Sequence, residues 1–485
     1  MLTVPFPPGP TTSRPLIPAA ITALDTVMWV AVSLAVFVIA FGGVRLFTGA
    51  NRISVTSVSI LLFAAGAALV VRHAFLRSPN AFALARQTAQ RMRIGAASAA
   101  VRISLRIGLA SRLGVLIVGV LSVAIVGPPE HAAALRTFEN PLTDIADRWD
   151  ARWYAQIAVD GYRWRPNRPD LQQNVAFFPG YPLLIHVGAA LIGARPDQAL
   201  RRPHAEARVR ERTLLAGLFI SLAAFVAALA AFYRWAERLA GRMAAARAVA
   251  LLSTFPFALF YSAPYTEAIF LLGSVSAFNA ASAGRSAQAG AWGLLVGLTR
   301  PNGFLLALPL AIVVAHQRGG NWRHWVAAVM PAVGLLAYCG YLWWLTGLPL
   351  AWAEAHAAWG RVPLTWDAAV SEPLRLVTEQ GVVTFLLAAP IRLLNGAALV
   401  LALALLPTVW RRLGAAATVF VVVNLIPPVM AGGLMSIGRL TSTMFPLFLA
   451  LALVVKRRNL TPWLIGFALL QGMAAAAYFT WRPIV

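Results

Sequence analysis

Apolar residues run along this chain in stretches of about 20, the length a helix needs to cross a hydrocarbon layer of about 30 Å. The stretches expected to cross are Leu24–Phe47, Thr56–Leu76, Gly108–Val126, Thr213–Tyr233, Ala248–Ala263, Glu267–Ala281, Gln288–Ala315, Trp325–Leu345, Gly381–Val409, Ala415–Met430, Leu440–Val455 and Trp463–Tyr478. Val175–Ala194 is apolar as well but is broken by Pro179, Gly180 and Pro182, and Gln288–Ala315 is interrupted by Thr299-Arg300-Pro301-Asn302-Gly303. The pattern predicts an all-α polytopic membrane protein with about 11–13 crossings. No repeat of fixed length points to a solenoid or an inverted-repeat transporter.

Composition agrees. The chain is 59% hydrophobic and 12% charged, whereas charged residues make up about a quarter of an ordinary soluble domain. Its net charge of +24 does not imply nucleic acid, because the arginines sit in short clusters between apolar runs, as in cytoplasmic loops obeying the positive-inside rule. Cys339 is the sole cysteine, which excludes an intramolecular disulfide and a thiol metal site. Lys456 is the only lysine, a bias expected of a GC-rich bacterial genome and hence of a multi-pass plasma (inner) membrane protein.

Charge placement also orients the chain. Met1–Ala20 is rich in proline with Arg14 as its only charge, and reads as a disordered cytoplasmic tail. Residues 21–85 hold two N-terminal helices ahead of the main membrane domain, 86–485. Arg72, Arg77, Arg86, Arg91, Arg93, Arg102, Arg106 and Arg112 form a block without a carboxylate, expected in the cytoplasm. The span after it then rises to the far side and exposes the loop 127–174 outside; 346–380 is a second external loop. Two later basic segments, Arg195–Arg212 and Arg234–Arg247, conflict, since one span lies between them. Either Val175–Ala194 dips and returns, which puts Tyr265 and Arg300 at the outer face, or one basic loop is external and they lie at the inner face or in mid-membrane.

Polar chemistry concentrates in the first external loop. Seven of the 17 acidic residues (Glu130, Glu139, Asp144, Asp147, Asp150, Asp160, Asp170) fall between positions 130 and 170. Asp147 and Asp150 are spaced to share a helical face, with Arg148 and Arg152 as a basic edge. Carboxylates beside arginines remain proton acceptors, and arginines grip phosphate bidentately, so the loop suits transfer from a phosphorylated donor. The alternative is a solvated loop whose charges pair off, with Trp149, Trp153 and Tyr154 as interfacial aromatics. Arg300 in an apolar run needs a partner, and Glu267 is the obvious one, either in a binding site or as a structural ion pair. Arg439 poses the same choice, while Tyr265 and Asn302 serve helix ends as readily as sugar. In the second loop, Trp352, Glu354, His356, Trp359 and Trp366 shape a cleft or an aromatic belt; Glu354 and His356 are too few ligands for a metal.

Five pieces in order carry a resemblance: Arg148-Trp149-Asp150, Trp153-Tyr154, Ile157-Ala158 and Gly161-Tyr162 at spacings of two; Phe177 to Leu184 (Phe-Phe-Pro-Gly-Tyr-Pro-Leu-Leu); Pro264-Tyr265-Thr266-Glu267; Leu298 to Gly303; and Ser436-Ile437-Gly438-Arg439 with Phe445-Pro446. Together they resemble the PIG-V type mannosyltransferases of the GT-C superfamily, of which this chain would be a bacterial member. The resemblance implies a GT-C bundle over 86–485 with short juxtamembrane helices in the catalytic loop 127–174. It further implies transfer of mannose from a polyprenyl-phosphate sugar to a lipid-linked or glycan acceptor on the extracytoplasmic face, with inversion and without a cofactor. Asp150 matches the catalytic carboxylate, a general base. Asp147, Arg148, Trp149, Arg152, Tyr154, Tyr265, Glu267, Arg300, Asn302 and Arg439 are its expected substrate-binding company, with the arginines facing the leaving phosphate. One departure is Pro301, where the family has serine; it is expected to bend the helix beside Arg300. Two rival readings stand beside the enzyme: a transporter or lipid flippase gated by Glu267 and Arg300, and a non-catalytic partner in envelope assembly.

Overall fold

The structure is a computed structural model. It describes residues 27–28, 31, 44–48, 51–55 and 58–75, and the chain from 98 to 484 apart from 134–136, 139–140, 169, 195–202, 318–320, 361–364, 366–370 and 384–389. Met1–Ala20, most of Leu24–Phe47, Glu139 and Trp366 lie outside the described residues. The chain forms two compact units, 1–96 and 97–485.

In the first unit, α1 (Val58–Phe75) is the described helix, and a small antiparallel hairpin pairs Val44–Thr48 with Asn51–Val55. The hairpin takes in the last residues of the expected first span. Its strands are short and rich in Val, Ile, Phe and Thr, residues that favour extended backbone.

The second unit is a helical bundle, in keeping with the class read from the pattern. Its helices include α2 (Ala99–Ile125), α3 (Pro141–Ala146), α4 (Ala151–Asp160), α5 (Gly180–Leu191), α6 (Pro203–Thr254), α7 (Glu267–Ser282), α8 (Ser286–Gly297), α9 (Ala307–Ala315), α10 (Trp322–Thr346), α11 (Pro390–Leu413), α12 (Ala415–Gly432), α13 (Ile437–Ser442), α14 (Phe445–Val454) and α15 (Leu460–Phe479). Among the described residues six helices are long and apolar enough to cross a membrane: Ala99–Ile125, Glu206–Thr254, Trp322–Thr346, Pro390–Leu413, Ala415–Gly432 and Arg457–Phe479. Five further apolar helices are shorter, including Gly180–Leu191, Glu267–Ser282, Pro301–Ala315 and Phe445–Val454.

Six long helices and five shorter apolar ones stand among the described residues, and where an expected run does not form one long helix the cause is local. Several apolar runs are interrupted by residues that cannot continue a helix. Ala248–Ala263 ends as helix at Thr254, and a 3-10 helix, Pro256–Ser262, begins on Pro256. Leu440–Val455 breaks between α13 and α14, where Phe445-Pro446 opens the second piece. Gln288–Ala315 becomes α8, the 3-10 helix Pro301–Leu306 and α9. Pro301 bends nothing: it sits at the first position of its 3-10 helix, where its missing N–H costs nothing, and it holds Arg300 extended at φ −154, as residues before proline prefer.

Helix lengths also bear on the two basic segments. α5 has 12 residues, about 18 Å of helix at 1.5 Å per residue, too short for a layer of about 30 Å. α5 is thus shorter than a membrane crossing, and α6 begins beside the acidic loop. Arg210 reaches Asp160 at 3.2 Å, and Thr143 donates to Glu211 at 2.7 Å. α6 runs for 52 residues and turns at Gly241, whose φ of +79 no side-chain-bearing residue adopts readily. Beyond the turn, Arg247 donates to the Val455 carbonyl, next to the basic Lys456-Arg457-Arg458. Arg210 and Arg247, one from each basic segment, thus lie on one helix long and apolar enough to cross a membrane. The core between them is aromatic and small-residue packing, with Phe225 stacked on Tyr261 at 4.4 Å and Phe445 edge-on to Trp235 at 4.8 Å.

Candidate active site

The acidic loop folds as two short helices with a strained joint. α3 stops at Ala146, and Trp149 takes φ +52 before α4 begins at Ala151, a conformation costly for a bulky side chain unless its surroundings enforce it. They do: the Asp150 N–H donates to the Tyr265 hydroxyl at 3.1 Å, and the Arg148 carbonyl accepts from Tyr265 at 3.4 Å and Tyr478 at 3.3 Å. The Trp149 ring packs on Trp481 with centroids 5.4 Å apart.

This joint separates the two carboxylates that the spacing put on one face. Asp147 turns to Arg152, Oδ2 to Nε 3.0 Å. Asp150 turns the other way, its Oδ2 accepting from Arg439 Nη1 at 2.7 Å. Asp150 Oδ1 makes no hydrogen bond to the described residues, and the carboxylate side chain is 26% exposed.

Beneath Asp150 the network continues into the bundle. Arg439 Nε donates to Glu267 Oε1, and Arg300 Nη2 donates to the same oxygen. Arg300 Nε also donates to Thr266 at 2.8 Å. Two carboxylates and two guanidiniums balance in charge, so none is a lone buried ion. Arg439 lies over the Tyr265 ring at 4.5 Å and the Phe260 ring at 5.1 Å. Glu267 Oε2 and Arg300 Nη1 are buried without a hydrogen-bond partner, polar atoms for which a ligand or solvent atom would be the natural complement. Tyr154 is buried edge-on to Tyr181 and Tyr265, with centroids 5.3 and 6.2 Å away. Burial pushes its hydroxyl up to about 12, so at neutral pH it is a donor and not a base.

Arg439 reaches this place through a short helix fixed on three sides. Ser436 takes φ +62 at its start, the Gly438 N–H donates to Asn395 Oδ1 at 2.7 Å, and the Ser442 carbonyl accepts from Tyr261 at 2.8 Å. Gly438 admits no side chain, because a Cβ there would overlap the Phe257 ring. Gly180 has the same role under the loop: its N–H donates to the Leu298 carbonyl at 2.7 Å, drawing α5 against the segment that carries Arg300.

The other expected substrate ligands fall elsewhere. Arg148 is buried and bonded to Asp144 Oδ2 at 3.0 Å and the Phe479 carbonyl at 3.0 Å. Arg148 and Arg152 both stack on Trp481, at 5.0 and 4.9 Å, so the basic edge exists but faces the C-terminal segment and its own carboxylates. Asn302 donates to Asn424 at 2.7 Å and ties a 3-10 helix to α12. In the second loop, Trp359 meets Trp153 at 6.1 Å and Phe177 at 5.7 Å, and His356 bonds the Trp352 carbonyl at 2.7 Å. His186 likewise joins α5 to the Ala158 carbonyl at 2.7 Å.

Thr266, which stands in the Pro264–Glu267 motif, and Asn395, Tyr261, Tyr478 and Trp481 support the site, although sequence pattern assigns none of them a role. For Asn395 the signal was available: it is a polar residue inside the apolar run Gly381–Val409, where a side-chain amide must find a partner.

Residues 126–318 match the family described as mannosyltransferase (PIG-V). Over 161 residues the chain is 32% identical to the GPI alpha-1,6-mannosyltransferase 2 of Rattus norvegicus, covering 33% of this chain and 29% of that protein. The chain therefore matches less than a third of that relative's length. Asp150, Tyr265, Glu267 and Arg300 fall inside the matched residues, whereas Arg439 lies beyond them. As the first four ordered motifs led us to expect, it is residues 126–318 of this multi-pass membrane protein, less than half of the chain, that are similar to the PIG-V mannosyltransferase family.

Proposed function

We propose that the chain is a glycosyltransferase that moves a hexose, mannose by its family match, from a polyprenyl-phosphate sugar to a lipid-linked or glycan acceptor. The observation that carries this reading is the partly exposed Asp150 carboxylate, held by Arg439 above the buried Glu267 and Arg300.

Asp150 is the general base. Its Oδ1 takes the proton of an acceptor hydroxyl as that oxygen attacks the anomeric carbon. The bond from that carbon to the phosphate oxygen breaks, and its electron pair leaves with the polyprenyl phosphate. Attack from the face opposite the phosphate inverts the centre, so a β-linked donor gives an α-glycoside. Proton removal of this kind is worth about 10² to 10⁴ in rate. Arg439 and Arg300 stabilise the departing charge, Arg439 being the outer of the two with a side chain 12% exposed against 7%. Because arginine-rich 72–112 is read as cytoplasmic, the reaction belongs on the extracytoplasmic side.

The transport reading has no observation of its own to favour it: Glu267 does not form an isolated pair with Arg300 but is shared with Arg439, and through it linked to Asp150. The test is transfer of label from radiolabelled polyprenyl-phosphate mannose to extracted membrane lipids by the purified protein. The expected result is turnover by the natural chain and a loss of at least about 10² in Asp150→Asn; undiminished turnover in that variant removes Asp150 as the base.

A further inference from the structure

On the other side of the strained joint lies a cleft of about 390 Å³, lined among others by Asp147, Trp149, Arg152, Trp153, Gln156 and Arg210. Its volume is within the range of about 300–1,000 Å³ usual for small-molecule sites. Asp150, Tyr265, Glu267, Arg300 and Arg439 do not line it, so it is separate from the charged network. It is nevertheless built on the same loop: Trp149 and Arg152 flank Asp150 by one and two positions.

The chemistry of its lining points to one kind of ligand. Two guanidiniums line the cleft, but each already has carboxylate company. Arg152 is 3.0 Å from Asp147, and Arg210 lies 3.2 Å from Asp160 and 3.0 Å from Glu206. No surplus positive charge is left for a phosphate, which seeks unneutralised cations. Both arginine side chains are one-third exposed, and the Arg210 guanidinium has five N–H donors, more than its two pairings occupy. Gln156 adds an amide that makes no hydrogen bond to the described residues and presents both a donor and an acceptor. Trp149 and Trp153 add aromatic surface. Paired donors and acceptors beside indoles suit a neutral polyhydroxylated ring, whose hydroxyls both give and take hydrogen bonds and whose C–H faces pack on aromatics.

We infer that this cleft binds a neutral sugar ring of the acceptor, one that does not itself react, and so holds the acceptor glycan while its hydroxyl is presented to Asp150. The assignment of that sugar to the acceptor rests on the glycosyltransferase reading; the binding of a neutral sugar does not.

The experiment is saturation-transfer NMR on the purified full chain in detergent, titrated separately with methyl α-mannoside, a linear mannotriose and inorganic phosphate. Saturable mannotriose binding is expected. It should weaken at least fivefold in Gln156→Ala and in Arg210→Ala, and persist in Asp150→Asn. Gln156→Ala is the decisive variant, since it removes no internal bond and leaves the melting temperature unchanged. The inference is overturned if neither sugar binds, if binding is undiminished in Gln156→Ala, if phosphate binds in place of the sugars, or if Asp150→Asn abolishes sugar binding. Sugar binding by a protein that transfers no label would sink the enzyme reading and leave the cleft standing.

Discussion

Asp150 and Arg439 are 289 positions apart in the chain and 2.7 Å apart in space. One comes from the first loop and the other from a six-residue helix near the C-terminus, so the pairing joins the two ends of the membrane unit. A charge-assisted bond of this length fixes one carboxylate oxygen and leaves the other free to take a proton. Arg439→Lys is expected to retain the charge but lose the simultaneous reach to Asp150 and Glu267, since only a guanidinium offers forked donors. Its turnover should fall by about tenfold or more with donor affinity less affected; parallel measurement of kcat and KM separates the two, and a KM-only change would refute the positioning role.

Glu267 is the carboxylate on which both buried arginines converge. Replacing it with Gln leaves Arg300 and Arg439 with Asp150 as their nearest anion, a change of the kind that costs about 3–5 kcal/mol when one partner of a buried pair is removed. Glu267→Gln should therefore lower the melting temperature markedly as well as abolish transfer. The double variant Glu267→Gln/Arg300→Met should recover part of the stability and none of the activity. A stable single variant would show that the pair is not structural.

The close approach of Gly438 to Phe257 gives a prediction about fold and site together. Gly438→Ala must push α13 away from the ring, overpacking worth about 1–3 kcal/mol, and should carry Arg439 away from Asp150. Phe257→Leu in the same chain makes room, so the pair should regain activity that Gly438→Ala alone has lost. Activity assays of the three variants decide it; additive losses would refute the mechanism.

Asp147 supplies a pH test. Burial outweighs its neighbour Arg152 and holds its carboxyl above the usual carboxylate range. A folded-state value above the unfolded one, which is about 3.9, means that protonation favours the fold. That favourable contribution is complete below the unfolded value and disappears as the pH rises through the folded one. Near neutrality the ionised group is therefore a net cost. Asp147→Asn should melt above the natural chain at pH 7, and the difference should close on acidification toward pH 4. A variant that melts lower at pH 7 would mean that the bond to Arg152 outweighs the burial.

Much of this was legible in the sequence, and the limits are physical. The helical class and the bundle's long spans follow from apolar runs bounded by charge, because a lipid core tolerates few other arrangements. Glu267 and Arg300 were readable as partners because an isolated arginine in an apolar run requires one. What periodicity could not give was the joint at Trp149. Spacing of three put Asp147 and Asp150 on one helical face, but a positive φ imposed by Tyr265, Tyr478 and Trp481 turned them apart. Long-range contacts from residues over 100 positions away decided that geometry, and no local pattern encodes them. For the same reason Arg148 and Arg152, neighbours of the carboxylate in sequence, face Trp481, whereas Arg439 from the far end occupies the place expected of them.

The long helix α6 carries a practical consequence. One end stands beside the acidic loop, where Arg210 meets Asp160, and beyond the Gly241 turn Arg247 meets Val455. If this helix, long and apolar enough to cross a membrane, does cross one, its two ends stand in different aqueous compartments. Cys339, the lone thiol of the chain, is buried, so the natural protein is close to a silent background for thiol reagents. A cysteine placed at Arg208 and another, in a separate variant, at Arg242 would then mark opposite sides of the membrane to an impermeant reagent. Two labelling reactions on intact cells would assign the compartment in which Asp150 works without reference to any sugar.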